Sequence, residues 1–261
     1  MTVPGPTLLS LTFDDGLDSH LDIVGPALER AGLRATFYVQ LAAPPLQRRW
    51  KEWQELAARG HELGNHSMLH PAEGRRGWVT AANRIEDYSL ERMETELALT
   101  NSVLSMIDGQ AVRSYAYPCS IDVLGREGWP RRLFTERGLD RRRWGRLILP
   151  LLPRWGSTRR DYTPVVERLF FCARGGTPHT PGLNRYHLQA LSADGLEPSG
   201  HGALLDDAAQ RRWALLLWHG IDGDHGLSST RQAFVVLLER IAADRRFLVK
   251  PVLDAARHFW R

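Results

Sequence analysis

The 261-residue chain is 43% hydrophobic and 25% charged, and its 34 basic residues against 30 acidic ones leave a formal charge of +4. These proportions suit one globular domain and exclude a disordered chain, and so small a charge excess gives no reason to expect a nucleic-acid partner. No stretch approaches the ~18 consecutive apolar residues of a membrane span. Met1–Pro6 has neither a basic n-region nor an apolar h-region, and Cys119 and Cys172 are too few for a disulfide framework. A cytoplasmic protein with two free thiols is therefore expected.

Leu8–Phe13 reads as a buried strand stopped by Asp14-Asp15-Gly16. Leu21–Ala31 has helical spacing, and Gly32 follows as its C′ residue. Ala35–Val39, β-branched and aromatic, is a second strand. Trp50–Arg59 is a helix closed by Gly60, and His61–Asn65 is strand-like. Leu90–Met106 is a long amphipathic helix, and Val112–Tyr117 a strand ending at Pro118. Such alternation predicts a parallel sheet or barrel.

Between Arg126 and Arg160 the pattern breaks: eleven arginines stand against Glu127, Glu136 and Asp140, with Trp129, Trp144 and Trp155 among them. Pro130, Pro150 and Pro153 cut the segment into short pieces. It reads as an elaborated surface loop or helix pair, or more sharply as a basic, aromatic surface that docks on anionic lipid or a partner. Alternation then returns. Leu169–Ala173 is strand-like, Trp213–Trp218 is a buried strand ending at His219, and Gln232–Ala243 is a helix. Phe247–Val249 is a last strand and Leu253–Trp260 a closing helix.

Two segments carry chemistry. An Asp-Asp pair ends the first strand, and His66 and His70 stand four apart, a spacing that in a helical turn puts both rings on one face. Two neutral imidazoles and one carboxylate make a three-ligand site with open positions, suited to Zn²⁺ first and to Co²⁺, Fe²⁺, Mn²⁺ or Ni²⁺ as alternatives. His219, ending an apolar strand, should surface at the same mouth as Asp14, where its ordinary pKa of ~6.5 suits it to donate a proton. Asp222, Asp224 and His225 are all candidates to orient it.

Thr12–Gly16 resembles the TFDDG motif of the polysaccharide deacetylase family, the NodB-homology domain of carbohydrate esterase family four. Gly60–Pro71 resembles its H-[ST]-x-x-H metal motif, Ala35–Val39 its ATFFV strand, and Leu216–His219 its late L-x-x-H motif. The resemblance covers about Leu8–Pro118 and Leu169–His258. It implies an irregular α/β barrel of seven or eight β/α units and the removal of an N-acetyl group from an amino sugar, polymeric, lipid-linked or small. By it, Asp15, His66 and His70 are the metal ligands, Asp14 the general base and His219 the general acid. The turn Tyr117-Pro118-Cys119 would supply the oxyanion N–H and contact substrate. Tyr115–Ser120 is closer to the FAYPYG subgroup than to F-R-P-P-Y-G, so the arginine that usually holds the base is Ala116 here, and Arg174 or Arg185 is the expected substitute. The whole chain, 1–261, is thus expected to be one catalytic domain with an insertion at about 125–168. A non-sugar amidase or cyclic imide hydrolase, and a silent carbohydrate-binding module, are the alternatives.

Overall fold

The computed structural model describes residues 5–177 and 182–260. Twelve strands lie among them: β1 Thr7–Asp14, β2 Thr36–Val39, β3 Glu62–Asn65, β4 Ser114–Ala116, β5 Val123–Leu124, β6 Arg160–Asp161, β7 Cys172–Arg174, β8 Ala190–Ser192, β9 Trp213–Trp218, β10 Gly220–Ile221, β11 Ser228–Ser229 and β12 Phe247–Val249. Seven of them run parallel in the order β7-β4-β3-β2-β1-β9-β8. A parallel bridge between Arg174 and Leu188, just ahead of β8, joins the two edges and nearly closes a barrel. β12 pairs with β1 below β2, through Thr7–Leu9 against Phe247–Val249. The helices pack outside, so an α/β barrel of the expected kind is present.

Period-2 alternation sorts the side chains. On β1, Leu9, Leu11 and Phe13 face the helices, while Ser10, Thr12 and Asp14 face the barrel interior with Tyr38, Ala116 and Cys172. Phe13 stacks between Phe37 at 5.2 Å and Trp218 at 5.3 Å. Fully buried aromatics of this kind contribute roughly 1.5–3 kcal/mol each and hold three strand ends in register. The interior is too narrow for more bulk. Tyr38 crosses it so closely over Gly64 that a Cβ there would lie 2.4 Å from the ring. Below, half-buried Glu62 accepts from Thr36 Oγ1 at 2.7 Å, Ser114 Oγ and the Leu253 N–H at 2.9 Å. That last N–H belongs to the first turn of the helix Val252–Phe259, which plugs the barrel floor.

Most expected elements appear within a residue or two of their positions, and four features do not. Leu169 ends a helix, Thr163–Leu169, and the strand begins only at Cys172. β8 and the helix His201–Ala209 carry weak patterns and were not expected. His66–His70 is an irregular turn and no helix, because Ser67 and His70 both have left-handed backbones (φ 66° and 51°). Between Val123–Leu124 and Arg160–Asp161, which form an antiparallel ribbon, the arginine-rich segment folds into short helices, among them Trp129–Glu136 and Arg143–Ile148. Helix Thr163–Leu169 packs in the frame with Tyr115 and Tyr162, so the insertion ends nearer Asp161 than 168. No described helix is long and apolar enough to cross a membrane.

Candidate active site

All six non-glycine residues with left-handed backbones among the described residues lie in loops after the C-terminal ends of β1, β3, β4 and β10: Asp15, Ser67, His70, Cys119, Ser120 and Asp222. Such conformations cost on the order of 1–3 kcal/mol each and concentrate where geometry serves chemistry. Asp15 (φ 81°) explains how two consecutive aspartates share one mouth: the turn swings its carboxylate back beside that of Asp14. Gly16 completes the turn at φ 68°, where a Cβ would strike Val39 Cγ1 at 2.7 Å.

The histidine turn is built from its own backbone. Asn65, fixed by the Leu97 carbonyl and Asn101, accepts the Ser67 N–H at 2.7 Å, and Ser67 Oγ accepts the His70 N–H at 3.0 Å. The rings end 4.8 Å apart. His66 Nδ1 lies 2.9 Å from the Ala116 carbonyl, which can only accept, so the proton sits on Nδ1 and Nε2 is left for a ligand. Nε2 of His66 and of His70 lie 3.7 and 3.4 Å from Asp15 Oδ1. These three donor groups lie within 4.8 Å of one another, and burial first of all holds both imidazoles down at about 4, hence neutral. Neutral nitrogen and carboxylate donors converging in this way fit a divalent metal.

Asp14 points inward beside them, its Oδ2 3.8 Å from His66 Nε2. Both its oxygens accept from Arg174, the inward residue of β7, whose guanidinium also lies 5.0 Å from the Tyr38 ring. Burial pushes this carboxyl up, but Arg174, His66 and His219 more than offset it and hold it at about 2. Arg174 therefore stands in for the cation missing at Ala116. Arg185 does not, since it donates to the Phe171 carbonyl and packs on the Phe171 ring at 4.3 Å.

His219 is oriented by a residue the sequence left unmarked. Asp194, after β8, accepts the His219 N–H and its Nδ1 proton, each at 2.8 Å. Burial alone would lower this imidazole; Asp194, then Asp14 and Asp15, outweigh it and raise its pKa. Asp224 is spent on the N–H groups of Ser19 and Ile221, and Asp222 on Arg231, so neither orients His219. His225 stacks on His219 at 5.0 Å and presents Nε2 3.6 Å from Asp15 Oδ2. Gln40 donates to Asp15 Oδ1 at 3.3 Å, and half-exposed Trp78 packs 5.4 Å from His70. Only a missing neighbour, β8, hid Asp194; its carboxylate could have been found as the first acid after that strand.

The turn after β4 is divided in its roles. The Tyr117 N–H donates to the Arg174 carbonyl at 3.0 Å, and its ring stacks on His187 at 5.7 Å, so Tyr117 is structural wall. Pro118 has no N–H to offer. Cys119 (φ 51°) has an N–H that none of this turn's backbone hydrogen bonds uses. Burial raises its thiol, with Asp15 and Asp14 adding to the effect against Arg76, so it stays protonated.

A sequence profile of the family described as polysaccharide deacetylase matches residues 3–121. A gellan lyase of Bacillus sp. is 26% identical over 111 residues, which are 42% of this chain and only 4% of that protein. Among solved structures, the Xyl-CE4 domain of a multidomain xylanase from the hindgut metagenome of Trinervitermes trinervoides superposes with a TM-score of 0.55 at 17% identity, covering 98% of this chain and 92% of that one. The catalytic domain of a peptidoglycan N-acetylglucosamine deacetylase from Eubacterium rectale gives 0.55 at 16% identity, over 96% and 90%. A mutant, with restored activity, of a Bacillus anthracis pseudoenzyme of carbohydrate esterase family four gives 0.54 at 14%, over 97% and 69%. At such identities these likenesses establish the fold alone. Over residues 3–121 the chain is similar to the polysaccharide deacetylase family, and the solved structures share its barrel fold.

Proposed function

We propose that this protein is a metal-dependent hydrolase that removes the N-acetyl group from an amino sugar. The observation that carries the reading is the meeting, at one barrel rim, of a neutral two-imidazole, one-carboxylate donor set with an ionised Asp14 and with His219, which Asp194 orients. The fold alone would not suffice, because a pseudoenzyme shares it. A divalent metal held by Asp15, His66 and His70, zinc first, would polarise the amide carbonyl and acidify the attacking water.

Asp14 accepts the water's proton. Held at about 2, it is a weak base that orients more than it stores, and it therefore needs an acidified water. His219, whose pKa Asp194 raises, gives a proton to the departing nitrogen as the C–N bond breaks. The Cys119 N–H receives the negative carbonyl oxygen. Acetate and a free amine leave. Peripheral contact with an anionic membrane is part of the proposal: Leu151, Leu147 and Trp155 are 81, 75 and 65% exposed on the arginine-rich insertion. The free thiols of Cys119 and Cys172 suit a cytoplasmic setting. The reading is tested by acetate release from a panel of N-acetylated sugars with zinc-loaded protein, which Asp14→Asn should abolish; no release from any of them would overturn it.

A further inference from the structure

A concave pocket of about 810 Å³ lies between the rim loop that follows His70 and the inserted helices. Its wall carries seven arginines and three carboxylates, Glu86, Glu127 and Asp140. Glu127 is shared by Arg159 at 2.9 Å and Arg131 at 3.7 Å, and Glu86 is occupied by the Gly74 N–H at 3.0 Å. Asp87, just outside, pairs with Arg126 and Arg84, and Glu73 with Arg75 and Arg76. Arg84 Nε is buried without a hydrogen-bond partner, and Arg131 is turned onto the Leu149 carbonyl. Crowding guanidiniums into one hollow costs repulsion that a bound anion would relieve. Their planar donor forks match phosphoryl oxygens better than any neutral sugar hydroxyl.

We infer that this pocket binds a phosphoryl or pyrophosphoryl group borne by the amino-sugar substrate. Gly74 in its wall is four residues from His70, at most ~14 Å along even an extended chain. A sugar seated at the barrel mouth thus has its anionic substituent within reach of the arginines. The placement of the sugar rests on the deacetylase reading above; the anion site does not.

The experiment pairs binding with turnover. Inorganic pyrophosphate titrated calorimetrically into the protein at low salt should bind, and Arg126→Gln/Arg159→Gln should weaken it at least tenfold. In parallel, kcat/KM should favour a phosphorylated N-acetyl sugar over its neutral counterpart, and the double variant should pull that ratio toward one. A nucleoside-diphosphate sugar and a polyprenyl-phosphate sugar in vesicles form two arms; preference for either over the neutral sugar supports the site and tells which source it serves. Should the double variant unfold on circular dichroism, Arg75→Gln, whose side chain is 78% exposed, repeats the test. Absence of pyrophosphate binding, equal binding by the variant, or equal kcat/KM for charged and neutral sugars would overturn the inference. Pyrophosphate binding lost in the variant, with no sugar deacetylated, would sink the deacetylase reading and leave the anion site standing.

Discussion

Replacing Arg174 by Met removes the cation from Asp14 while keeping most of the side-chain volume. Both partners are almost completely buried, at 4 and 6% side-chain exposure. Breaking a buried pair from one side costs about 3–5 kcal/mol, because the stranded charge remains. For a chain of this size that is a fall in Tm of roughly 6–20 °C. The pH dependence follows from the carboxyl's depressed value. Asp14 sits at about 2 instead of 3.8, so its contribution, about 2 kcal/mol, is present above 3.8 and lost as pH falls through 2. Without Arg174, burial acts unopposed by its main partner, and the Asp14 pKa moves upward. The acidic limb of kcat/KM should therefore shift to higher pH in Arg174→Met, with acid stability reduced. Calorimetric melting between pH 3 and 7 and a pH–rate profile read both effects. An acidic limb and a Tm identical to the parent protein would refute the assignment of Arg174 as the cation that holds the base.

Three further outcomes are expected. Asp194→Asn removes the partner that raises the His219 pKa and leaves burial to lower it, so the alkaline limb of kcat/KM should move to lower pH; an unmoved limb contradicts the pairing. His225 Nδ1 lies 3.0 Å from the Leu227 N–H and 3.2 Å from the Leu227 carbonyl, and its Nε2 faces Asp15 at 3.6 Å. Loss of that support in His225→Ala should weaken zinc affinity about 10-fold in a competition titration, and unchanged affinity would show His225 to be a bystander. The protein should co-sediment with vesicles containing anionic lipid and less with neutral ones, and Leu147→Ser/Leu151→Ser should release it; equal sedimentation with both lipids counts against a membrane face.

Much of this fold could be read in advance because its strands carry strong signals. β9 is an unbroken apolar run, and β1 ends on an acidic pair that fits a barrel mouth. β8 could not be read, since Ala190–Ser192 is three short residues with a polar tail and gains its place only by pairing with β9. Asp194 was lost with it. The His-x3-His spacing pointed to two rings on one face by the wrong conformation: left-handed Ser67 and His70 bring the rings together where a helix would have. Arg174 was named as one of two cations, and the alternation Cys172-Ala173-Arg174 decides between them by pointing the third residue inward. His225 was named only as a candidate to orient His219, and packing shows that it faces Asp15 instead, from more than two hundred residues away.

The proposed chemistry requires Asp15, His66 and His70 to form one metal centre beside Asp14. Calorimetric titration of metal-free protein with Zn²⁺ tests it most directly. One ion per chain should bind, with binding lost in His66→Ala and in His70→Ala but kept in Asp14→Asn. No binding by the parent protein, or the same isotherm after both histidines are removed, would contradict it.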